Sequence, residues 1–453
     1  MRQHKLLFVA MSGVRVQNQA LLESGLTLPG FMERSKVIAS LPSLGLLTLA
    51  AHTPPHWEID YREIDEILLS DPERISEGGY DVVAISSLTA RINDAYRLAD
   101  GLRARGVTVV LGGLHASALP DEARLHADIV VQGEGENLWP QILRDIEKRQ
   151  HQTFYSSFDK AHVSYSFHQA RTPRYDLLDI GNYNRLTLQT TRGCPLDCEF
   201  CGASRMISSY KIKPLEQVRR DLEAILALWP RPFIELADDN TFANKKWARG
   251  LAGLLGEYDI PWFTETDISV ADDDELLSLL AQSNCAQLLI GLESTEANSL
   301  FDVDGRHWKH SQMSSYRDKI AKIQSYGIAI NGCFILGFDQ DDLGVFERTR
   351  DFVLGSELAD VQITLLTPFP GTALHRRLHS QGRLLEPAYW DKCTLFDVTF
   401  QPKQMSMSQL EERFGLLMSE IYAPEATAQR KRNFHNCVRA RHERPSPAQA
   451  FGQ

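Results

Sequence analysis

Three cysteines close together carry the strongest chemical signal in the chain. Cys194, Cys198 and Cys201 stand at C-x3-C-x2-C spacing, between Arg192-Gly193 and Gly202. Thiolates are ligands for iron, and a cubane iron–sulfur cluster is normally held by four of them. Three on one tight loop would hold three irons of a [4Fe–4S] cluster and leave the fourth iron open for chemistry. The alternatives are a zinc site, a disulfide framework, or three unrelated loop thiols. Structural zinc takes four N or S ligands, and no further cysteine or histidine follows in this segment. Seven cysteines in 453 residues do not make a disulfide framework. Cys285, Cys333, Cys393 and Cys437 are scattered. Cys285 and Cys333 lie beside or within apolar strand-like runs and read as core thiols.

A strand must launch this loop and further strands must surround it. Residues 185–189 read as that strand. Strands are then expected at 233–236, 262–265, 287–290, 328–336 and 361–366, with helices at 215–228, 245–256, 273–282, 312–326 and 343–355. Six βα units predict a partial (β/α)6 barrel over 185–370, and chemistry in such barrels sits at the carboxyl ends of the strands. Residues 1–148 alternate in the same way. Short apolar runs at 5–10, 57–61, 81–86, 108–111 and 128–132 suit parallel strands buried on both faces, with amphipathic helices at 93–105 and 139–146. These five strands predict a doubly wound, Rossmann-like α/β domain, whose ligands bind beyond the carboxyl ends. There the chain places Ser86-Ser87-Leu88-Thr89, Gly112-Gly113-Leu114-His115 and Gly133-Glu134-Gly135-Glu136. The turn after the first strand, Met11 to Arg15, has no G-x-G-x-x-G, which disfavours a nicotinamide site. Residues 149–184 read as a polar linker with scattered aromatics. Residues 371–453 read as a small, mostly helical region with helices at 372–381 and 408–422. It ends in a basic tail from Arg430 to Arg444, read as solvated or as a clamp for an acidic substrate or electron donor.

Composition sets outer bounds. The formal charge of −11 argues against a nucleic-acid scaffold. Met1 to Lys5 lead straight into an apolar strand-like run rather than a secretory leader, and no run approaches the length of a membrane span. A cytoplasmic location is expected.

The cysteine motif, with Phe200 before its last cysteine, resembles the signature of radical S-adenosylmethionine enzymes. The run Pro42 to Leu47 and the S-x-L, G-G and G-E-G-E turns resemble the cobalamin-binding domain found in front of many of them. The resemblance implies a [4Fe–4S] cluster, S-adenosylmethionine and cobalamin, with Cys194, Cys198 and Cys201 on the cluster. On the S-adenosylmethionine it implies Phe200 against the adenine and Asp238 or Asp239 on the ammonium, the latter two reading otherwise as helix caps. Glu293 and Ser294 would face the ribose or carboxylate, and Ile335, within Asn331–Gly337, would border the adenine. Pro368–Thr372 resembles the family's turn after the sixth strand; Glu265 and Asp267 would project near the same face. Cobalamin would meet Ser86, Ser87, Leu88, Thr89, Gly112, Gly113, His115, Gly133, Glu134, Gly135 and Glu136. None of His4, His52, His56, His115 or His126 sits in the D-x-H-x-x-G pattern that ligates cobalt elsewhere. Either cobalamin is held without that histidine or the domain has lost it.

The implied reaction is methylation of an unactivated carbon of a small molecule, through a 5′-deoxyadenosyl radical and methylcobalamin. A flavodoxin or ferredoxin-type protein would donate electrons. The alternatives are a cyclase or carbon-skeleton rearrangement without methyl transfer, and an enzyme whose first domain binds substrate and no cobalamin.

Overall fold

The apolar runs of the first domain form six parallel strands: β1 (His4–Met11), β2 (Trp57–Glu63), β3 (Val82–Ser87), β4 (Thr108–Gly112), β5 (Ile129–Gln132) and β6 (Phe154–Ser156). Their order is β2-β1-β3-β4-β5-β6. The computed structural model describes residues 4–442 apart from 12, 15, 25–40, 65–70, 161–162, 203–205 and 386–387. Ser12 and Arg15 of the first turn, and Glu443 and Arg444 of the tail, lie outside the described residues. Alternate side chains go to opposite faces and both faces are buried. Leu7, Val9, Val83, Ile85, Val109 and Leu111 pack with Ala95, Leu98, Ala99 and Leu102 of helix Ile92–Arg103. Leu6, Phe8, Val82, Ala84, Val110 and Val131 pack with Leu46 and Ala50 of helix Leu44–His52 and with Trp139, Ile142 and Leu143 of helix Trp139–Glu147. The sheet has one strand more than the sequence predicts. β6 comes from the expected linker, where only three residues pair with β5.

The second sheet is also wholly parallel, in the order β14-β13-β12-β11-β10-β7. Its strands are β7 (Leu186–Leu188), β10 (Ile234–Leu236), β11 (Trp262–Thr266), β12 (Cys285–Glu293), β13 (Ala329–Leu336) and β14 (Asp360–Leu365). Each strand pairs with its sequence neighbour in this sheet, and parallel neighbours need crossover connections, here mostly helical. Helices Leu215–Leu228, Lys245–Leu255, Asp274–Gln282, Tyr316–Ser325 and Val345–Gly355 cover the outer face and share its apolar core. A short antiparallel hairpin, β8 (Thr191–Arg192) with β9 (Lys211–Ile212), carries the cysteine loop between its arms.

The C-terminal region ties the parts together. Helix Met407–Ile421 begins with a capping box on Ser406 and Gln409 and packs on helix Val345–Gly355. Trp390 Nε1 donates to Glu122 of the first domain at 3.1 Å, and the Trp390 and His115 rings meet edge-on at 5.2 Å. The expected basic tail is largely a helix, Pro424–His442. Arg430 is buried in it and donates to the Ile421 carbonyl at 2.7 Å. This helix lies by Asp360, the first residue of β14, at the end of the barrel opposite its mouth. Of the tail's cations Lys431, Arg432 and Arg439 stay exposed, as the solvated reading expects, while Arg430 is buried.

Candidate active site

The cysteine loop is built by its anchors. Gly193 has φ +77°, and a Cβ there would sit 3.0 Å from backbone atoms of Ser209 and Tyr210; only glycine lets the arms approach so closely. Asp238, at the end of β10, accepts from the backbone N–H of Thr190 and of Thr191, both at 2.7 Å. It also accepts from the Thr190 hydroxyl and, at 3.0 Å, from the Thr241 hydroxyl. Burial holds the Asp238 carboxyl above the usual range despite these donors. It therefore braces the start of the hairpin. Glu199 forks onto Arg377 at 2.6 and 3.1 Å, and Asp197 accepts from the Gly305 N–H at 3.2 Å.

All three cysteines are half-buried. Burial raises the Cys194 thiol and pushes the Cys198 thiol up to about 12. Among the described residues no three His, Cys, Asp or Glu side chains converge on one metal-ion position. Three thiols on one loop fall short of the four N or S ligands that structural zinc takes. They suit a cubane, in which each thiolate takes a separate iron. Asn240 donates from Nδ2 toward Cys194 Sγ at 3.9 Å and to Asp267 at 2.9 Å.

The inner face of the barrel is polar. Along β13 exposure alternates, so that Ile330, Phe334 and Leu336 meet the helices while Asn331, Cys333 and Ile335 face inward. Cys333 is thus a lumen thiol rather than a core thiol; Asn331, two residues earlier on the same face, was the sequence signal for this. Glu265 also points inward. Its surface is open to solvent, yet the barrel wall surrounds it. The resulting loss of bulk water, then the nearby Glu235 and Asp239 carboxylates, push its pKa up to about 8. Glu293 sits at a register shift in β12 with φ +67°. It is buried and accepts from Lys309 Nζ at 2.6 Å, which also donates to the Gly291 carbonyl at 2.7 Å. Ser294 is buried beside it and accepts from the Glu296 N–H at 3.1 Å. Phe200 meets Phe338 edge-on at 6.1 Å. No motif announced Lys309, which lies in a short helix, Trp308–Gln312.

The first domain carries a cavity of about 280 Å³ at the carboxyl ends of β3, β4 and β5. Its lining includes Leu46, Leu49, Val110, Val131 and Trp139, with Ser86, Gly112, Gly113, Gly133, Glu134, Gly135 and Glu136 at the rim. Glycines shape it. Gly113 has φ +97°, and a Cβ on Gly135 would lie 3.2 Å from Leu49. The volume and apolar walls suit a bicyclic aromatic group such as cobalamin's nucleotide base, rather than a whole corrinoid. Ser87, Leu88, Thr89 and His115 are not among its lining residues. His115 is fully buried on the other side of its helix, with Nε2 3.2 Å from Glu122. Gln189, Arg192 and Ile207, from the segment that carries the cysteines, complete the cavity wall. Arg192 meets Glu134 at 3.0 Å and Glu136 at 2.6 Å. Burial alone would raise Glu136, but Arg192 holds its carboxyl below the usual range.

Three family models match the chain: the B12 binding domain over 35–143, the Radical SAM superfamily over 188–353, and a domain of unknown function (DUF4070) over 372–451. The bacteriochlorophyllide d C-8(2)-methyltransferase of Chlorobaculum tepidum is 30% identical over 77% of this chain and 78% of its own. The bacteriochlorophyllide d C-12(1)-methyltransferase of the same organism is 27% identical over 86% of this chain and 84% of its own. The structure of the radical S-adenosylmethionine methyltransferase TsrM from Kitasatospora setae, with cobalamin and a [4Fe–4S] cluster bound, shares the fold. Its TM-score is 0.65 at 13% identity, covering 99% of this chain and 90% of that one. The chain belongs to the radical S-adenosylmethionine methyltransferases that carry a cobalamin-binding domain.

Proposed function

We propose that the protein methylates a carbon atom of a small molecule seated at the barrel mouth, between the cysteine hairpin and the cavity of the first domain. One observation carries this reading: Gln189, Arg192 and Ile207 belong both to the segment bearing Cys194, Cys198 and Cys201 and to the cavity wall. When bound, the cluster supplies the electron that cleaves S-adenosylmethionine and cobalamin supplies a methyl carrier. The chain's own residues hold and orient. Cys194, Cys198 and Cys201 take the cluster, and Asp238 fixes the hairpin that presents them. Phe200, Asp239, Glu293, Ser294 and Ile335 border the S-adenosylmethionine. The apolar cavity with its glycine rim holds cobalamin through Ser86, Gly112, Gly113, Gly133 and Gly135. Two relatives named for bacteriochlorophyllide make cyclic tetrapyrroles the first substrate class to test. Electrons come from a flavodoxin or ferredoxin-type donor, and the oxygen sensitivity of such a cluster favours the cytoplasm as its location. No helix among the described residues is long and apolar enough to cross a membrane.

The test is anaerobic reconstitution with iron, sulfide, hydroxocobalamin and a reductant, followed by incubation of cell extract with methyl-deuterated S-adenosylmethionine. The expected result is a product carrying the deuterated methyl group, formed with S-adenosylhomocysteine and 5′-deoxyadenosine. 5′-Deoxyadenosine with no labelled product but a dehydrogenated or cyclised one overturns the methylation reading.

A further inference from the structure

The hairpin is bound to the cavity rim by a buried set of charges. Arg192 on β8 and Lys211 on β9 stand opposite each other in register. Arg192 reaches Glu134 at 3.0 Å and Glu136 at 2.6 Å, and takes Gln189 Oε1 at 3.0 Å. Lys211 Nζ donates to both oxygens of the same Glu134, at 2.6 and 2.7 Å, and to the Tyr165 carbonyl at 2.8 Å. The Arg192 guanidinium lies over the Phe167 ring at 5.1 Å. The side chains of Arg192, Glu134 and Glu136 are only 11%, 5% and 7% exposed. Two cations balance two carboxylates, so removing one member leaves an uncompensated charge out of water. Both arms flanking the cysteine loop are thereby fixed to one turn of the other domain, and that turn is the rim of the cavity.

We infer that the Arg192–Glu134–Glu136–Lys211 clamp is a positioning device that couples occupancy of the cobalamin cavity to the seating of the cysteine loop. Glu134 and Glu136 act through Arg192 and Lys211, and not as carboxylate ligands of cobalamin. The guanidinium fork matters as well as its charge, because it spans two carboxylates at once. The inference rests on the cobalamin and cluster assignments above.

The full chain is reconstituted as wild type, R192K, R192Q, E136Q and R192Q/E136Q. Hydroxocobalamin affinity, iron content, thermal midpoint, and the electron paramagnetic resonance spectrum of the reduced cluster with and without cobalamin are measured. In the wild type, cobalamin is expected to shift the cluster spectrum. R192Q is expected to weaken cobalamin binding at least tenfold and to abolish that shift. R192Q/E136Q, which restores charge balance, is expected to bind cobalamin more tightly than R192Q, and R192K to fall between R192Q and the wild type. If R192Q does not fold, E136Q, which keeps the Arg192–Glu134 pair, is expected to stay folded at the assay temperature with a lowered midpoint and to weaken binding at least threefold. Variants that lose thermal stability alone, with affinity and the spectral shift unchanged, overturn the proposal. A wild type that binds no cobalamin overturns the cobalamin reading itself, and the coupling with it.

Discussion

Gly193→Ala tests whether the hairpin geometry, and not merely the presence of three thiols, makes the cluster site. Gly193 lies at φ +77°, where a side chain costs about 1–2 kcal/mol. Its new Cβ would also sit 3.0 Å from Ser209 C, Ser209 O and Tyr210 N. These are backbone atoms of the opposite arm, next to its pairing with Thr191–Arg192, so the two arms must shift apart to relieve the contact. Overpacking of this kind adds roughly 1–3 kcal/mol. The dihedral cost is measured separately at Gly327, which has φ +85° and nothing within 4 Å of a built Cβ. Gly327 precedes β13 at the end of the barrel away from the mouth. Gly327→Ala should cost about 1–2 kcal/mol and leave iron loading intact. Gly193→Ala should cost more and should lower the closed-to-open ratio of the hairpin by about tenfold or more, since about 1.4 kcal/mol is one factor of ten. The assay pairs denaturant unfolding of the metal-free chain with iron and sulfide counts after anaerobic reconstitution at limiting iron. If Gly193→Ala matches Gly327→Ala in stability and loads iron like the wild type, the hairpin geometry is not what holds the site.

Asp238→Ala orphans the Thr190 and Thr191 amides, each now 2.7 Å from its carboxylate. Buried unsatisfied donors cost about 1–3 kcal/mol apiece, so unfolding free energy should drop by at least about 2 kcal/mol, with reduced iron retention on gel filtration. Gly135→Val fills the space beside Leu49 and Val131 and should abolish retained cobalamin absorbance while iron per chain stays at the wild-type level. Glu265 has a folded pKa raised to about 8 by the loss of bulk water inside the barrel first and by neighbouring carboxylates second. The unfolded chain therefore ionises before the folded one, and stability falls as pH rises from about 4.5 to about 8. Glu265→Gln should flatten that fall, seen as a gain in thermal midpoint over the wild type that is larger near pH 8 than near pH 5.

Much of the fold was legible because its strands are short, apolar and buried on both faces, and its helices are amphipathic at the right intervals. Helix Leu215–Leu228 matches its pattern end to end. Elements without a period escaped. β6 has three residues and β8 and β9 two each, too few to alternate. Within the site, the cysteines were legible because their spacing is local. Asp238 read as a cofactor partner or a helix cap, whereas its carboxylate meets amides 47 and 48 residues away. The G-E-G-E turn marked the cavity rim, but the direction of its carboxylates depends on Arg192 in another domain. His115, beside the glycine pair, reads in the sequence as a residue that meets cobalamin. Its side chain turns instead to Glu122 and Trp390, a contact no local pattern encodes.

On the proposed function, a radical-forming cluster and a methyl-carrying cobalamin meet at one hairpin. The direct measurement is electron paramagnetic resonance of the doubly loaded enzyme, poised so that the cluster is reduced and the cobalamin is in its cobalt(II) state. A spin–spin interaction that broadens or splits both signals is expected, and its loss when Cys194, Cys198 and Cys201 are replaced by alanine. Two fully loaded centres whose spectrum is the plain sum of the separate signals would contradict it.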